Sequence, residues 1–160
     1  PPDATDTPAL GQAYDSLGEY HKAIQFYQQC LDLPETEVNR NEQMTALGGL
    51  GSAFYCLANY PQAQHYYQQY LQRSQESEDQ AALSVAWSGL GNTNYCLMEY
   101  QEALQAYQHS LKLKQNIGDR FGEAIVLSNI SRVYTALGEE KQAKVYQQQS
   151  LVIKRSVANE

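Results

Sequence analysis

Residues 87–107 read WSGLGNTNYCLMEYQEALQAY, and residues 47–67, forty positions earlier, read LGGLGSAFYCLANYPQAQHYY. A Leu-Gly pair, a Tyr-Cys-Leu triplet and a later alanine stand at the same places in both stretches. The same shift aligns the whole chain of 160 residues without a gap. The columns that are identical four times are Ala23, Ala63, Ala103 and Ala143, and Leu31, Leu71, Leu111 and Leu151. A fixed period of this length predicts stacked supersecondary units.

Each unit is predicted to contain two helices, because the apolar residues step by three and four within each half. The first helices are expected near 8–17, 40–57, 80–97 and 120–137. The second helices are expected near 20–33, 60–77, 100–117 and 140–157, with Pro34 stopping the first of them early. The expected N-caps are Asn39, Asp79 and Asp119, and Gly18 and Gly138 are expected to end first helices.

The third repeat carries the residues that relate the chain to a known family. These residues are Trp87, Leu90, Gly91, Tyr100, Ala103 and Tyr107. The pattern resembles the tetratricopeptide repeat over residues 8–157, with departures at Asn94, Ser131 and Glu140. The period of 40 exceeds the family's usual length of about 34. It is similar to the long-repeat type of Pins-type G-protein-signalling modulators and cyanobacterial arrays.

The resemblance implies an all-α fold, an α-solenoid of four helical hairpins. Its eight antiparallel helices are expected to form a right-handed superhelix with a concave inner groove. The expected organisation is a linker at 1–7 and a single array at 8–160. The repeats would occupy about 8–39, 40–79, 80–119 and 120–157.

The composition excludes several classes of partner. The net charge is −7 with a pI near 4.9, and no cluster of Lys and Arg is evident, so nucleic acid and anionic membrane surfaces are not expected partners. No apolar run reaches the roughly 18 residues that a membrane helix needs. The three cysteines, Cys30, Cys56 and Cys96, form no CxxC pair. We therefore expect free thiols and a cytoplasmic protein.

The sequence shows no arrangement of residues that predicts catalysis. His21, His65 and His109 lie on second helices in different columns of the repeat, so repetition does not bring them together. We therefore expect no enzymatic activity, no metal site and no cofactor.

A second face of each first helix is rich in small and hydrogen-bonding residues. By the resemblance, this face lines the groove and binds a peptide. Asn92 and Asn129 can bond to the amides of an extended chain, and Arg132 can bind a carboxylate. The candidate groove residues are Gln12, Ser52, Tyr55, Ser88, Asn92, Tyr95, Ser128, Asn129 and Arg132.

These observations favour a protein-interaction scaffold that binds an extended peptide or helix of a partner protein. Two alternatives remain open: a ligand-sensing regulatory domain of a larger bacterial protein, or a self-associating structural element. Val145 and Val152 replace residues that are polar in the other repeats. Helix 140–157 is therefore expected to meet a further repeat, a second copy of the chain or a partner helix.

Overall fold

The computed structural model describes residues 7–37 and 39–159, and within them it contains eight helices and no strand. The helices are α1 (Thr7–Ser16), α2 (Tyr20–Leu31), α3 (Arg40–Cys56), α4 (Tyr60–Ser77), α5 (Gln80–Cys96), α6 (Tyr100–Asn116), α7 (Arg120–Ala136) and α8 (Glu140–Ala158). This architecture confirms the predicted all-α fold of four helical hairpins. Seven of the eight helices end within one residue of the predicted C-terminus, and α2 ends earlier.

The helices fall into two compact units, which divide between Ser77 and Glu78. The first unit contains α1 to α4. Its core is centred on the ring of Tyr27, which is 1% exposed and lies against the backbone at Gly11 and Gly49. Around it pack Ala23, Ile24, Cys30, Ala46, Leu50 and Ala53. The absence of a side chain at the two glycines is what lets the tyrosine enter between α1 and α3.

The second unit contains α5 to α8 and repeats this arrangement. Tyr107 is 2% exposed and lies against Gly91 of α5. Leu104 and Tyr107 of α6 pack with Val126, Ile130 and Val133 of α7. Ile153 of α8 packs against Ala124 and Leu127 of α7. The first and second helices of these repeats therefore share one apolar interior.

The end of each first helix shows why the repeat tolerates different residues there. Gly18 and Gly138 have φ of 74° and 76°, which confirms their predicted role as left-handed helix stops. The equivalent positions in the middle repeats are Ala58 and Met98, with φ of 56° and 62°. The chain therefore makes the same turn four times, although only two of the four residues are glycines.

Two of the three predicted N-caps are confirmed. Asp79 Oδ1 accepts a hydrogen bond of 3.0 Å from the N–H of Ala82, and Asp119 Oδ1 accepts one of 2.8 Å from the N–H of Gly122. The prediction for Asn39 is wrong, because its side chain makes no bond to the start of α3.

The side chain of Asn39 turns back into the preceding loop instead. Its Oδ1 accepts a 2.7 Å bond from the N–H of Thr36, and its Nδ2 donates a 2.9 Å bond to the carbonyl oxygen of Pro34. The loop exists because α2 ends at Leu31, three residues before Pro34, as predicted. Residues 1–6 of the predicted linker lie outside the described residues, and Thr7 is the buried first residue of α1.

Candidate binding surface

In the second unit, α5 and α7 lie side by side and bring Asn92 and Asn129 together. Asn92 Oδ1 accepts a hydrogen bond of 3.3 Å from Asn129 Nδ2. The same oxygen accepts a shorter bond of 2.6 Å from the hydroxyl of Tyr107. Both asparagines are half-buried, and their remaining amide atoms, Asn92 Nδ2 and Asn129 Oδ1, make no hydrogen bond to another described residue. The pair therefore offers one donor group and one acceptor in a fixed arrangement.

Arg132 lies one helical turn beyond Asn129 and packs over an aromatic ring. Its guanidinium carbon lies 4.8 Å from the centroid of the Tyr95 ring. Tyr95 in turn packs at 5.8 Å against Tyr100, with a tilt of 57° between the rings. A cation over an aromatic face near the protein surface is stabilised by about 0.5–1 kcal/mol. Stacking leaves the N–H groups at the edge of the guanidinium available for a carboxylate.

The two predicted serines of the second unit differ in their contacts. Ser88 Oγ lies 2.6 Å from Ser110 Oγ of α6, and Ser110 also donates to the carbonyl oxygen of Ser84 at 3.0 Å. Ser88 therefore holds α5 and α6 together. Ser128 is half-buried on α7, directly before Asn129.

The other three candidate residues belong to the first unit. Gln12 is exposed on α1. Ser52 hydrogen-bonds the side chain of Tyr67. Tyr55 packs against Tyr60 with 5.6 Å between the ring centroids. Six of the nine candidate residues lie in the second unit, and four of those interact in pairs, Asn92 with Asn129 and Tyr95 with Arg132. A single groove through all nine residues stays a prediction.

A rule that the sequence analysis missed links this face to the core. In repeats 2 and 3, the buried tyrosine of the second helix bonds to the groove residue of its own first helix: Tyr67 to Ser52 and Tyr107 to Asn92. Burial raises the pKa of Tyr67 well above its ordinary value, although the bond to Ser52 acts in the opposite direction. Aligning the two columns of the repeat could have revealed the pairing.

The fourth repeat differs from repeats 2 and 3 at both positions. Gln147 stands where Tyr67 and Tyr107 stand, and it is exposed on α8. Arg132 stands in the column of Ser52 and Asn92, and it packs over Tyr95 of the preceding repeat. Arg132 is thus positioned by a neighbouring hairpin.

Two of the three histidines, His65 and His109, contact neighbouring side chains. The ring of His109 stacks on Trp87 with 4.5 Å between centroids and 18° between planes. His65 Nε2 lies 2.7 Å from Gln69 Nε2. Within residues 7–37 and 39–159, no three side chains of His, Cys, Asp or Glu converge as metal ligands would. None of the helices described is long and apolar enough to span a bilayer.

A sequence profile of the tetratricopeptide repeat matches residues 9–76 and 80–156. The chain belongs to the tetratricopeptide repeat family. This confirms the family that the residue columns indicated, while the resemblance to a long-repeat subtype stays a prediction. A search of curated protein sequences found no significant match.

Several solved structures share the fold of this tetratricopeptide repeat chain at low sequence identity. BtubC (BKLC) from P. vanneervenii is 21% identical with a TM-score of 0.89, over 98% of this chain and 65% of that one. The apo form of RapI is 15% identical with a TM-score of 0.90, over 98% and 57%. Aspartyl phosphate phosphatase F from Bacillus subtilis is 12% identical with a TM-score of 0.88, over 97% and 41%. The chain thus spans less than two thirds of the length of each.

Proposed function

We propose that this tetratricopeptide repeat chain is a protein-interaction module, and that the face of α5 and α7 binds an extended segment of a partner protein. The observation that carries the proposal is the hydrogen-bonded series Tyr107–Asn92–Asn129, which runs from the core to the surface. A buried hydroxyl fixes one carboxamide, and that carboxamide holds the next. Such a pre-ordered pair lowers the entropy cost of binding.

The chemistry of the surface suits a peptide backbone together with one carboxylate. Asn92 Nδ2 can donate to a peptide carbonyl group, and Asn129 Oδ1 can accept from a peptide N–H group. Arg132, held over Tyr95, can bind an acidic side chain or a terminal carboxylate with two parallel bonds. We assign no reaction to the chain, and we place it in the cytoplasm because Cys30 and Cys56 are free thiols.

The test starts with a pull-down on the 160-residue chain, followed by mass spectrometry to identify a partner and by mapping of its binding segment. The affinity of that segment is then measured for the Asn92→Ala and Arg132→Ala variants. A bond to a charged group is worth about 1.5–3 kcal/mol, so Arg132→Ala should weaken binding of an acidic segment about tenfold or more. Gln108→Ala, on an exposed site of α6, is the matched control. If both groove variants bind as the unmodified chain does, this function is wrong.

A second candidate is a regulatory domain within a longer protein. The structural likeness favours it, because the fold spans only 41% of aspartyl phosphate phosphatase F, a longer chain whose name states an activity. In that case the α5–α7 face would bind a ligand that changes the activity of an attached domain. Measuring the activity of the full gene product with and without the mapped segment would decide this, and an unchanged activity would set the candidate aside.

A further inference from the structure

Charge is distributed very unevenly along the chain. Residues 103–160 contain eight of the eleven Lys and Arg residues but only five of the eighteen acidic residues. Their net charge is therefore +3, whereas residues 1–102, with three basic and thirteen acidic residues, carry −10. The C-terminal part of an acidic protein is thus locally basic, which favours an acidic partner there.

The same part of the chain has an open groove between α6 and α8, with α7 at its base. The groove has a volume of about 490 Å³. Its apolar walls are Leu111, Leu127, Val152 and Ile153, and its polar lining is Gln115, Arg120, Glu123, Gln148 and Gln149. The one carboxylate in it is already satisfied, because Glu123 accepts from Arg120 Nη1 at 2.7 Å and from Gln115 Nε2 at 2.9 Å.

A stripe on α8 runs beside this groove and combines apolar and basic residues. It consists of Lys141, Val145, Val152 and Arg155, whose spacing of four, seven and three places them on one helix face. Val145 is 50% exposed and Val152 55% exposed. Lys141 and Arg155 are exposed and form no ion pair with any described residue. Two apolar groups thus lie between two unpaired cations.

This stripe is separate from the face with which second helices pack on the following first helix. On α6 that face carries Leu104 and Tyr107, both buried against α7. The corresponding residues of α8 are Lys144 and Gln147, both exposed. Val145 and Val152 correspond instead to positions that are exposed in repeats 1, 2 and 3. The substitution to valine therefore does not serve the packing of hairpins on one another.

We propose that the α8 stripe and the α6–α8 groove bind an acidic amphipathic helix of another protein. The apolar side chains of that helix would cover Val145 and Val152 and enter the groove. Its Asp or Glu residues would pair with Lys141 and Arg155. The site is distinct from the α5–α7 face and does not depend on the function proposed for that face.

The charge and the small apolar area of the stripe disfavour two other occupants. If two copies paired symmetrically through α8, with Val145 against Val152 of the second copy, the cationic stripes would face each other and repel. An anionic membrane would meet only two small apolar side chains, Val145 and Val152. An acidic helix satisfies the apolar and the cationic groups together.

The test uses the full 160-residue chain and a designed peptide. The peptide is a fluorescein-labelled helix of about 15 residues, since shorter isolated helices are only marginally stable in water. It has leucine at every third or fourth position and glutamate on both flanks. A control peptide has lysine in place of every glutamate. Fluorescence anisotropy should show binding of the acidic peptide only. The affinity should fall when the ionic strength rises from about 0.01 M to about 0.1 M, since the screening length falls from about 30 Å to about 10 Å.

Variants of the protein locate the site. The double change Val145→Gln and Val152→Gln should lower the affinity for the acidic peptide about tenfold. Arg155→Glu should lower that affinity about as much. Lys154→Glu makes the same charge change at the adjacent residue on another face of α8, and it should leave the affinity within about twofold of the unmodified chain. Asn92→Ala and Arg132→Ala should also leave it unchanged, which separates this site from the α5–α7 face. Circular dichroism checks that each variant is folded.

Three results would overturn the proposal. The first is an acidic peptide that binds no more tightly than the basic one, or binds equally to the valine variant. The second is binding to vesicles of phosphatidylcholine and phosphatidylserine that the valine changes abolish, which would identify a membrane as the occupant. The third is a dimer in sedimentation equilibrium that the valine changes convert to a monomer, which would identify a second copy.

Discussion

The hydroxyl of Tyr107, on a side chain that is 2% exposed, donates a 2.6 Å hydrogen bond to Oδ1 of Asn92 on the surface of α5. The bond joins the second helix of a repeat to the candidate binding face of its first helix. The tyrosine ring reaches this position because it packs against Gly91. Packing in the core and the geometry of the candidate site are therefore set by the same side chain.

Replacing Tyr107 by Phe should separate these two roles. The ring keeps its packing, while the loss of the hydrogen bond should lower the free energy of unfolding by about 0.5–1.5 kcal/mol. Binding of the mapped partner segment should also weaken, because Asn92 is no longer held. Tyr134→Phe is the matched control, since the Tyr134 ring stacks on Tyr146 of α8, with 5.4 Å between the ring centroids, rather than packing beside Asn92. Urea denaturation and a binding titration measure both effects, and equal binding by the two variants would contradict the prediction.

Replacing Gly91 by Ala should destabilise the second unit. A β-carbon there would lie 2.6 Å from Cδ1 of Tyr107, so the ring or the helix must shift. We expect a loss of about 1–3 kcal/mol in the free energy of unfolding, as for other overpacked cores. At Gly48 the nearest ring atom, of Tyr70, would lie 3.3 Å away. Gly48→Ala should therefore lower the free energy of unfolding much less, because alanine has a helix propensity about 1 kcal/mol more favourable than that of glycine. A similar loss in both variants would argue against the role of Gly91.

Replacing Met98 by Gly should stabilise the chain. Met98 has φ of 62° and is 74% exposed. Its left-handed backbone is therefore strained, and its side chain adds little packing to offset that strain. Relief of this strain should raise the free energy of unfolding by about 1 kcal/mol, less the greater chain entropy of glycine. The reverse change at the equivalent turn, Gly138→Ala, should lower it by about the same amount. Chemical denaturation gives both values, and two shifts of the same sign would be inconsistent with this account.

Asp119 should make stability depend on pH in the acid range. The hydrogen bond from Lys114 Nζ, at 2.7 Å, and then the backbone N–H of Gly122 hold the pKa of Asp119 below its ordinary value of 3.8. A lowered folded-state pKa stabilises the protein above the unfolded value. That contribution is lost as the pH falls through the folded-state pKa, below 3.8. Asp119→Asn should therefore be less stable at pH 7 and should lose less stability on acidification.

Asp79→Asn is the control for Asp119. Asp79 caps α5 in the same way, with a 3.0 Å bond from the N–H of Ala82, but none of the described residues forms an ion pair with it as Lys114 does with Asp119. Asparagine is a good N-cap, so this variant should change stability at pH 7 by no more than a few tenths of a kcal/mol. Thermal unfolding between about pH 2 and pH 7 compares the two variants. An identical pH dependence for Asp119→Asn and the unmodified chain would refute the prediction.

The sequence by itself determined the repeat, the family and almost all helix boundaries. These features rest on local rules. A stripe such as Leu47, Leu50 and Phe54 has the helical period, and Pro34 cannot sit inside a helix. Each rule acts within a few residues, so it can be read along the chain before any contact is known. The uneven distribution of charge along the chain is equally readable from the order of the residues.

Only the tertiary structure decided how the candidate surface is built. The bond between Tyr107 and Asn92 joins residues 15 apart, and the bond between Asn129 and Asn92 joins residues 37 apart. The placement of Arg132 over Tyr95 likewise depends on how two hairpins pack. The same holds for Asn39, a good N-cap residue whose side chain bonds instead to the loop. Local propensity describes the preference of a single residue, so it cannot choose among the several partners that each of these side chains could have. The packing of neighbouring helices brings one partner within hydrogen-bonding or ring-contact distance.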